Sequence, residues 1–232
     1  MSGSMLNRLK GIFRSLGGVN GGLYLTDRIL RAASGERVRL YKYVIVAQPI
    51  GGLSAQPMRP DAKTALTMIG PDHELVASFP RPGAVIKQRY AAGAQCLAAT
   101  VGGSFAGFLW WQLGGYEEDE VRCSYVLIEA ETAVWDFDVY VEPRFRLGRT
   151  LARLWHQADA QLAAQGVRHS FSRISSFNAG SLASHARLGA RARATALFLV
   201  IGPIQLSLFS TRPLMHLSLR PDKRPVLRLS SS

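Results

Sequence analysis

The sequence predicts a mixed α/β fold in which a mostly antiparallel central sheet is flanked by helices. Three stretches support this prediction. Residues 133–190 read as strand, helix, strand and helix, and residues 95–141 read as successive strands joined by short turns. Residues 194–201 and 204–209 add two more strands around Gly202 and Pro203. Strand patterns of period two thus alternate with helical patterns of period 3.6.

Residues 133–190 hold the pattern on which the functional interpretation depends. Apolar and polar residues mix along a strand that Pro143 ends, because proline has no amide proton for the sheet. A turn over residues 144–149 leads into a helix that Gly166 closes. A second strand, residues 167–174, precedes a helix over residues 182–188 that begins near Asn178 and Ser181.

The turn before the first of these helices is rich in positive charge. Arg144, Arg146 and Arg149 surround it. The unpaired amides at a helix N-terminus also favour an anion. The turn is therefore either a phosphate-binding turn or an ordinary strand-to-helix connection with solvated arginines.

Two motifs in this region resemble the GNAT family, the Gcn5-related N-acetyltransferases. The family's V-x-P, its arginine-containing turn and its glycine-ended helix are similar to Val141, Pro143, Arg146, Leu154 and Gly166. Its later segment is similar to Asn178, Ser181, His185, Arg187 and Gly189. The resemblance covers residues 89–209. The family's turn glycines are replaced by Leu147, Arg149 and Leu151, and its tyrosine by His185.

The resemblance implies an acyl-CoA N-acyltransferase-like fold, acetyl-CoA as co-substrate, and a set of site residues. Backbone at Val139 and Val141 would hold the pantetheine arm, and Asn178 and Ser181 would support the cofactor side of the second helix. His185 would protonate the departing thiolate, or is a helix residue without a chemical role. The pyrophosphate would lie on the turn formed by Arg146, Leu147, Gly148, Arg149 and Thr150.

Asp136 and Asp138 are candidates for the general base. Acylation of an amine requires an ammonium group to lose its proton, which a nearby carboxylate can accept. On a regularly alternating strand both aspartates would share one face. The alternative is that they form a solvated polar face. Residues 117–120, a run of four acidic side chains, are expected to form a solvated turn or to hold a cationic amine.

Composition narrows the function classes. The chain has 232 residues and a formal net charge of +12, which favours anionic partners. Nucleic acid is disfavoured because no nucleic-acid-binding motif accompanies the charge. Cys96 and Cys123 show no metal or disulfide spacing, and no metal site is predicted. We expect a cytoplasmic protein with neither a signal peptide nor a membrane-spanning segment.

The chain is expected to divide at residues 35 and 212. Residues 1–35 form a basic helical extension, residues 36–212 the acyltransferase-like domain, and residues 213–232 a basic, irregular tail with one short strand. The extension reads as two helices, residues 5–16 and 23–33, separated by glycines. Residues 5–33 either lie on an anionic membrane surface, which would place the protein peripherally on the inner membrane, or pack on the domain.

The function that follows is transfer of an acyl group, most simply acetyl, from acyl-CoA to an amine by direct attack. The acceptor is a small-molecule or peptide amine. Two alternatives stay open at this point. One is a non-catalytic GNAT-like scaffold at the membrane surface, and the other is a transferase for longer acyl or aminoacyl groups. The sequence leaves the oligomeric state undefined.

Overall fold

The computed structural model describes residues 2–231, with side chains from residue 5. Its four helices are α1 (Ser2–Ser34), α2 (Gly83–Ala91), α3 (Thr150–Ala164) and α4 (Ala179–Arg187). Its strands are β1 (Val38–Pro49), β2 (Thr64–Ile69), β3 (Gln95–Val101), β4 (Ser104–Leu113), β5 (Gly115–Glu117), β6 (Ser124–Leu127), β7 (Ala133–Val141), β8 (His169–Ser175), β9 (Arg191–Ile201), β10 (Ile204–Phe209), β11 (Met215–Ser218) and β12 (Val226–Leu229). The predicted mixed α/β class, with a mostly antiparallel sheet and flanking helices, is confirmed.

The chain divides into two compact units, each assembled from separated segments. The first unit consists of residues 1–48, 116–128 and 173–232, and the second of residues 49–115 and 129–172. Residues 1–35 and 213–232, expected to be appendages, both belong to the first unit.

In the second unit the strands run in the order β8-β7-β4-β3-β2. All neighbours are antiparallel except β7 and β8, which are parallel. The predicted hairpin at Gly102 and Gly103 is confirmed, and both glycines adopt positive φ angles that suit them. Helix α3 packs on β2, β3 and β4. One face of the sheet buries an aromatic cluster that includes Phe79, Phe105, Phe108 and Trp110.

Strand β7 contains a β-bulge at Phe137. Trp110 pairs with Asp138, whereas the adjacent Trp111 pairs with Asp136, so Phe137 is the extra residue on β7. A bulge shifts the alternation of side chains by one residue. Asp136 therefore lies on the Trp111 face and Asp138 on the Trp110 face. The expectation that the two aspartates share a face is wrong, because the strand does not alternate regularly.

The first unit contains an antiparallel sheet in the order β11-β10-β9-β1. A smaller sheet has the order β12-β6-β5, and β12 runs parallel to β6. The prediction of an irregular C-terminal tail is wrong for residues 226–229. Leu227 and Leu229 are buried there, which explains why this basic segment forms a strand. Residues 121–129 were expected to form one of the successive strands of residues 95–141. They contribute only the short strand β6, which belongs to this smaller sheet.

Helix α1 is broken once, at Gly17, whose backbone has φ 75° and ψ 175°. The predicted break is thus present, but Gly18, Gly21 and Gly22 lie within the helix that follows it. The second half of α1 is anchored to the first unit. Asp27 accepts a hydrogen bond from the Leu40 amide at 2.8 Å.

Candidate functional site

The edge of β7 that faces away from β4 is open over much of its length. The parallel ladder with β8 joins only Ala133–Trp135 to His169–Phe171. Among the described residues of the second unit, no further pair extends this ladder toward Val141. Strands β7 and β8 therefore pair at the start of β7 and not at its end.

Backbone polar groups of Val139 and Val141 point toward that open edge. The Glu142 amide donates to the Ala106 carbonyl at 2.9 Å. Hydrogen-bonded and non-hydrogen-bonded pairs alternate in an antiparallel ladder, so Val141 and Val139 are non-bonded positions toward β4. Consistent with this geometry, Arg146 Nε donates to the Val141 carbonyl at 2.9 Å.

A groove of about 380 Å³ runs beside this edge of β7. It is lined by Val139, Tyr140, Val141, Arg146 and Leu151. Three of these five residues, Val139, Val141 and Arg146, were predicted as site residues, and Leu151 replaces a family glycine. The structure thus brings together the residues predicted to hold the pantetheine arm and the first residue of the predicted pyrophosphate turn.

The predicted turn forms a short 3-10 segment, Pro143–Phe145, followed by Arg146–Arg149 and the start of α3. Arg149 is the N-cap residue, and its side chain makes no capping hydrogen bond. The amides of the first turn of α3 are therefore available to an anion. The Leu147 side chain is fully exposed, and Gly148 and Arg149 are exposed as well. The side chains that replace the family's glycines at 147 and 149 thus point into solvent.

Asp138 is fully engaged by two arginines. It accepts hydrogen bonds from Arg81 Nε at 2.8 Å, Arg81 Nη2 at 2.7 Å and Arg89 Nη1 at 2.7 Å. The arginines lie over aromatic rings, Arg81 over Phe108 and Arg89 over Trp110. Both carboxylate oxygens of Asp138 therefore take part in charge-assisted hydrogen bonds with arginine. The predicted solvated face is wrong here, because Asp138 is only 9% exposed.

Asp136 occupies a different environment. It is buried, and Ser170 Oγ donates a hydrogen bond to it at 2.8 Å. Burial raises the pKa of Asp136 to about 7, although hydrogen bonds from Ser170 and Ser172 oppose the shift. A carboxyl group that titrates near neutral pH can both accept and release a proton there. Of the two predicted candidates, Asp136 is therefore the one with a pKa near neutral pH.

Three predicted site residues lie in the first unit. Asn178 caps α4, because its Oδ1 accepts a hydrogen bond from the Ser181 amide at 3.0 Å. His185 lies in the last turn of α4 and is half-buried. Burial lowers the pKa of His185 below its ordinary value of 6.5, so the neutral imidazole predominates at pH 7. The capping role of Asn178 accounts for the predicted start of this helix.

The first unit also contains a buried charge cluster that the sequence did not reveal. Glu118, expected to be solvated, is 4% exposed and forms hydrogen bonds with Arg173. Arg173 also pairs with Glu120 at 2.7 Å and lies over the Tyr43 ring. Burial raises the pKa of Glu118 to about 7 despite the opposing charge of Arg173. The partner lies 55 residues away along the chain, so a local acidic run gives no sign of it.

Comparisons with known proteins show a shared fold. No family profile and no curated protein matches the chain. It is similar to a conserved protein of unknown function from Staphylococcus epidermidis, with TM-score 0.51 and 10% identity over 76% of this chain and 67% of that one.

Two further solved structures belong to acetyltransferases or GNAT proteins by name. A tandem GNAT protein from the clavulanic acid biosynthesis pathway has TM-score 0.47 and 17% identity over 71% of this chain. A GCN5-related N-acetyltransferase from Kribbella flavida has TM-score 0.46 and 15% identity over 75% of this chain. This chain spans 55% and 63% of their respective lengths.

Residues 2–231 contain no helix that is both long and apolar enough to cross a membrane. The same part of the chain has no group of three or more His, Cys, Asp or Glu side chains arranged to hold a metal ion.

Proposed function

We propose that this protein is an acyl-CoA-dependent N-acyltransferase, most simply an N-acetyltransferase. The observation that carries the proposal is the groove beside β7. Along it, the backbone groups of Val139 and Val141 point away from β4 toward the open edge of β7, and the groove reaches Leu151 in the first turn of α3, which has no side-chain cap. The first GNAT-like motif contributes Val141 and Arg146 to this groove.

The residues present fit the chemistry of coenzyme A. Its pantetheine arm carries amide groups, which can pair with backbone N–H and C=O groups on an open strand edge. Its pyrophosphate is an anion suited to the first turn of α3, with Arg146 and Arg149 nearby in sequence. The exposed side chains of Leu147 and Arg149 leave the backbone of this turn accessible.

Bound acyl-CoA would supply an acyl group activated as a thioester. In direct transfer, the amine nitrogen forms the amide bond, the C–S bond breaks, and the amine loses a proton. We assign that proton to Asp136 rather than to Asp138, whose oxygens already accept three hydrogen bonds from arginine. The proposal also includes the predicted roles of three residues of α4 and its cap. His185 would protonate the departing thiolate, and Asn178 and Ser181 would support the cofactor side of the helix. The variant His185→Ala tests the role of His185.

Calorimetric titration with acetyl-CoA, CoA and a longer acyl-CoA tests the donor. We expect micromolar binding of acetyl-CoA, and a preference for the longer chain would select the longer-acyl alternative. Absence of binding by all three would contradict the proposal and favour the scaffold alternative. Purified protein that binds acetyl-CoA would then be incubated with a panel of amines, with release of free thiol as the readout.

The substitution Leu147→Glu tests where the pyrophosphate lies. The side chain is fully exposed, so the change leaves the packing intact. A carboxylate in this turn repels a pyrophosphate, and we expect the Kd for acetyl-CoA to rise about tenfold at low salt. The neutral Leu147→Gln is the matched control and should bind like the native protein. Equal Kd values for the two variants would show that the pyrophosphate does not bind at this turn.

A further inference from the structure

The formal charge of the chain is concentrated in the first unit. That unit has 18 Lys and Arg against 7 Asp and Glu, a formal charge of +11, whereas the second unit has 10 against 9, a charge of +1. The residues of the first unit proposed for the co-substrate, Asn178, Ser181 and His185, include no Lys or Arg, so the co-substrate does not account for this charge. The positive charge of the first unit therefore indicates a separate anionic partner.

The same unit exposes one apolar face of its larger sheet. Cross-strand partners share a face, and the register aligns Leu197 with Leu208 and Leu199 with Leu206. The next strand adds Met215 and Leu217. Exposed side chains on this face, between 39% and 65% exposed, are Ile201, Ile204, Leu208, Met215 and Leu217.

The opposite face of these strands carries the buried polar residues. Gln205, Ser207 and Ser218 are buried there, and Gln205 hydrogen-bonds Ser207 and the Arg122 backbone. Phe198 and Phe209 are buried on this face as well, so it is the inward side of the sheet, and the apolar residues of the other face are exposed in addition to a normal buried face. Contiguous exposed apolar surface of this kind marks an interaction site.

The second half of helix α1 contacts the same side of the sheet at Asn20. Lys42 pairs with Leu197 across the strands and so shares its face. Its ammonium group donates a hydrogen bond to Asn20 of α1 at 2.8 Å. The half of α1 before Gly17 has no buried side chain among residues 5–16. Its apolar residues cover one side of the helix, with Arg8 and Lys10 flanking them: Met5, Leu6, Leu9, Ile12, Phe13 and Leu16.

We propose that this docking surface, formed by the apolar side of α1 residues 5–16 and the apolar face of β9, β10 and β11, binds an anionic lipid membrane. Apolar side chains would insert at the headgroup boundary, while Arg8 and Lys10 of α1 and the charge of +11 on the whole unit would attract anionic headgroups. Charge favours an anionic membrane over a second copy of the chain. In a dimer, the first units of the two copies, each with a charge of +11, would repel each other.

Co-sedimentation of the full-length protein with vesicles tests the proposal. We expect binding to vesicles of phosphatidylcholine with about one-third phosphatidylglycerol, and binding to pure phosphatidylcholine at least about tenfold weaker. The double substitution Met215→Ser with Leu217→Ser should weaken binding to the anionic vesicles about tenfold. Leu6→Ser with Phe13→Ser should act in the same direction. The control is Leu113→Ser, an exposed leucine of the second unit.

A spectroscopic readout is independent of vesicle recovery. All four native tryptophans are buried. A Leu217→Trp variant should therefore provide the one fluorescence signal that brominated anionic lipid quenches. Unquenched fluorescence, or sheet-face variants that sediment like the native protein, would overturn the proposal. Light scattering that shows a dimer dissociated by Leu217→Ser, without vesicle binding, would assign the face to a second copy instead.

Discussion

At the scale of single residues, Asp136 links stability to pH. Its folded pKa of about 7 lies above its ordinary value of 3.8, so the folded state holds the proton more tightly than the unfolded state. The stabilisation is complete below about pH 4 and is lost as pH rises through about 7.

The substitution Asp136→Asn keeps an acceptor for Ser170 and removes this titration. We expect the variant to be more stable than the native protein at pH 8, on the order of 2–4 kcal/mol, and the gain to shrink toward pH 5. Urea unfolding at both pH values measures the difference. If Asp136 is the base, acyl transfer falls in the same variant. A pH-independent difference in stability would show that Asp136 does not titrate in this range.

Arg173 is the second residue whose removal we expect to be costly. Without its guanidinium, Glu118 would be a buried carboxylate with no opposite charge beside it. Arg173→Ala should therefore lower the free energy of unfolding by about 3–5 kcal/mol. Arg224→Ala, which removes a more exposed ion pair with Glu117, is the control and should change stability little. Similar losses for both variants in urea unfolding would contradict a special role for Arg173.

At the scale of elements, Gly107 controls how closely β4 approaches β7. A Cβ at this position would lie 2.4 Å from the Tyr140 carbonyl oxygen and 3.2 Å from Val141 Cα. Gly107→Ala must therefore push the two strands apart, which we expect to cost about 1–3 kcal/mol of stability. It should also weaken acetyl-CoA binding, because the displaced residues line the groove.

The matched control for Gly107 is Gly52→Ala. Gly52 has no atom within 4 Å of an added Cβ, and it lies in a loop of the same unit. Thermal unfolding and calorimetric titration of both variants separate the local strain from a general effect of losing glycine. Unchanged stability in Gly107→Ala would mean that β4 and β7 separate without cost.

Sequence patterns predicted turns, caps and helix ends correctly where neighbouring residues determine these features. The hairpin at Gly102 and Gly103, the end of α3 near Gly166 and the cap at Asn178 all depend on neighbouring residues. The bulge at Phe137 was missed because no glycine or other local signal marks it. Its consequence was large, since it put Asp136 and Asp138 on opposite faces and gave them different chemical environments.

The candidate site was predictable in part for the same reason. The residues of the groove follow one another along β7 and the next turn, so a sequence motif captures them. The partners of Asp138 and Glu118 are 49 to 57 residues away from them along the chain. Long-range ion pairs of this kind follow from the topology rather than from any local pattern. For both acidic groups a solvated position was one of the alternatives that the sequence left open, and both are buried.

At the scale of the whole molecule, residues 226–229 form a strand that pairs with residues from the middle of the chain. Strand β12 pairs with β6, and backbone bonds join Ser124 to Pro225 and Ile128 to Leu229, each at 2.9 Å. Leu227 is fully buried in the first unit. The charge cluster of Glu118 and Arg173 belongs to the same unit, and Glu118 lies on the segment that leads into β6. Residues 226–229 are therefore part of the folded core rather than an appendage.

Leu227→Ala tests this view of the C-terminal segment. Loss of a fully buried leucine leaves a cavity, and we expect the free energy of unfolding to fall by about 2–5 kcal/mol. Leu219→Ala, in the same segment but 62% exposed, should change stability by less than about 0.5 kcal/mol. Urea unfolding of both variants gives the comparison. If the two variants were equally stable, β12 would be dispensable and the sheet formed by β5, β6 and β12 would not be a unit of stability.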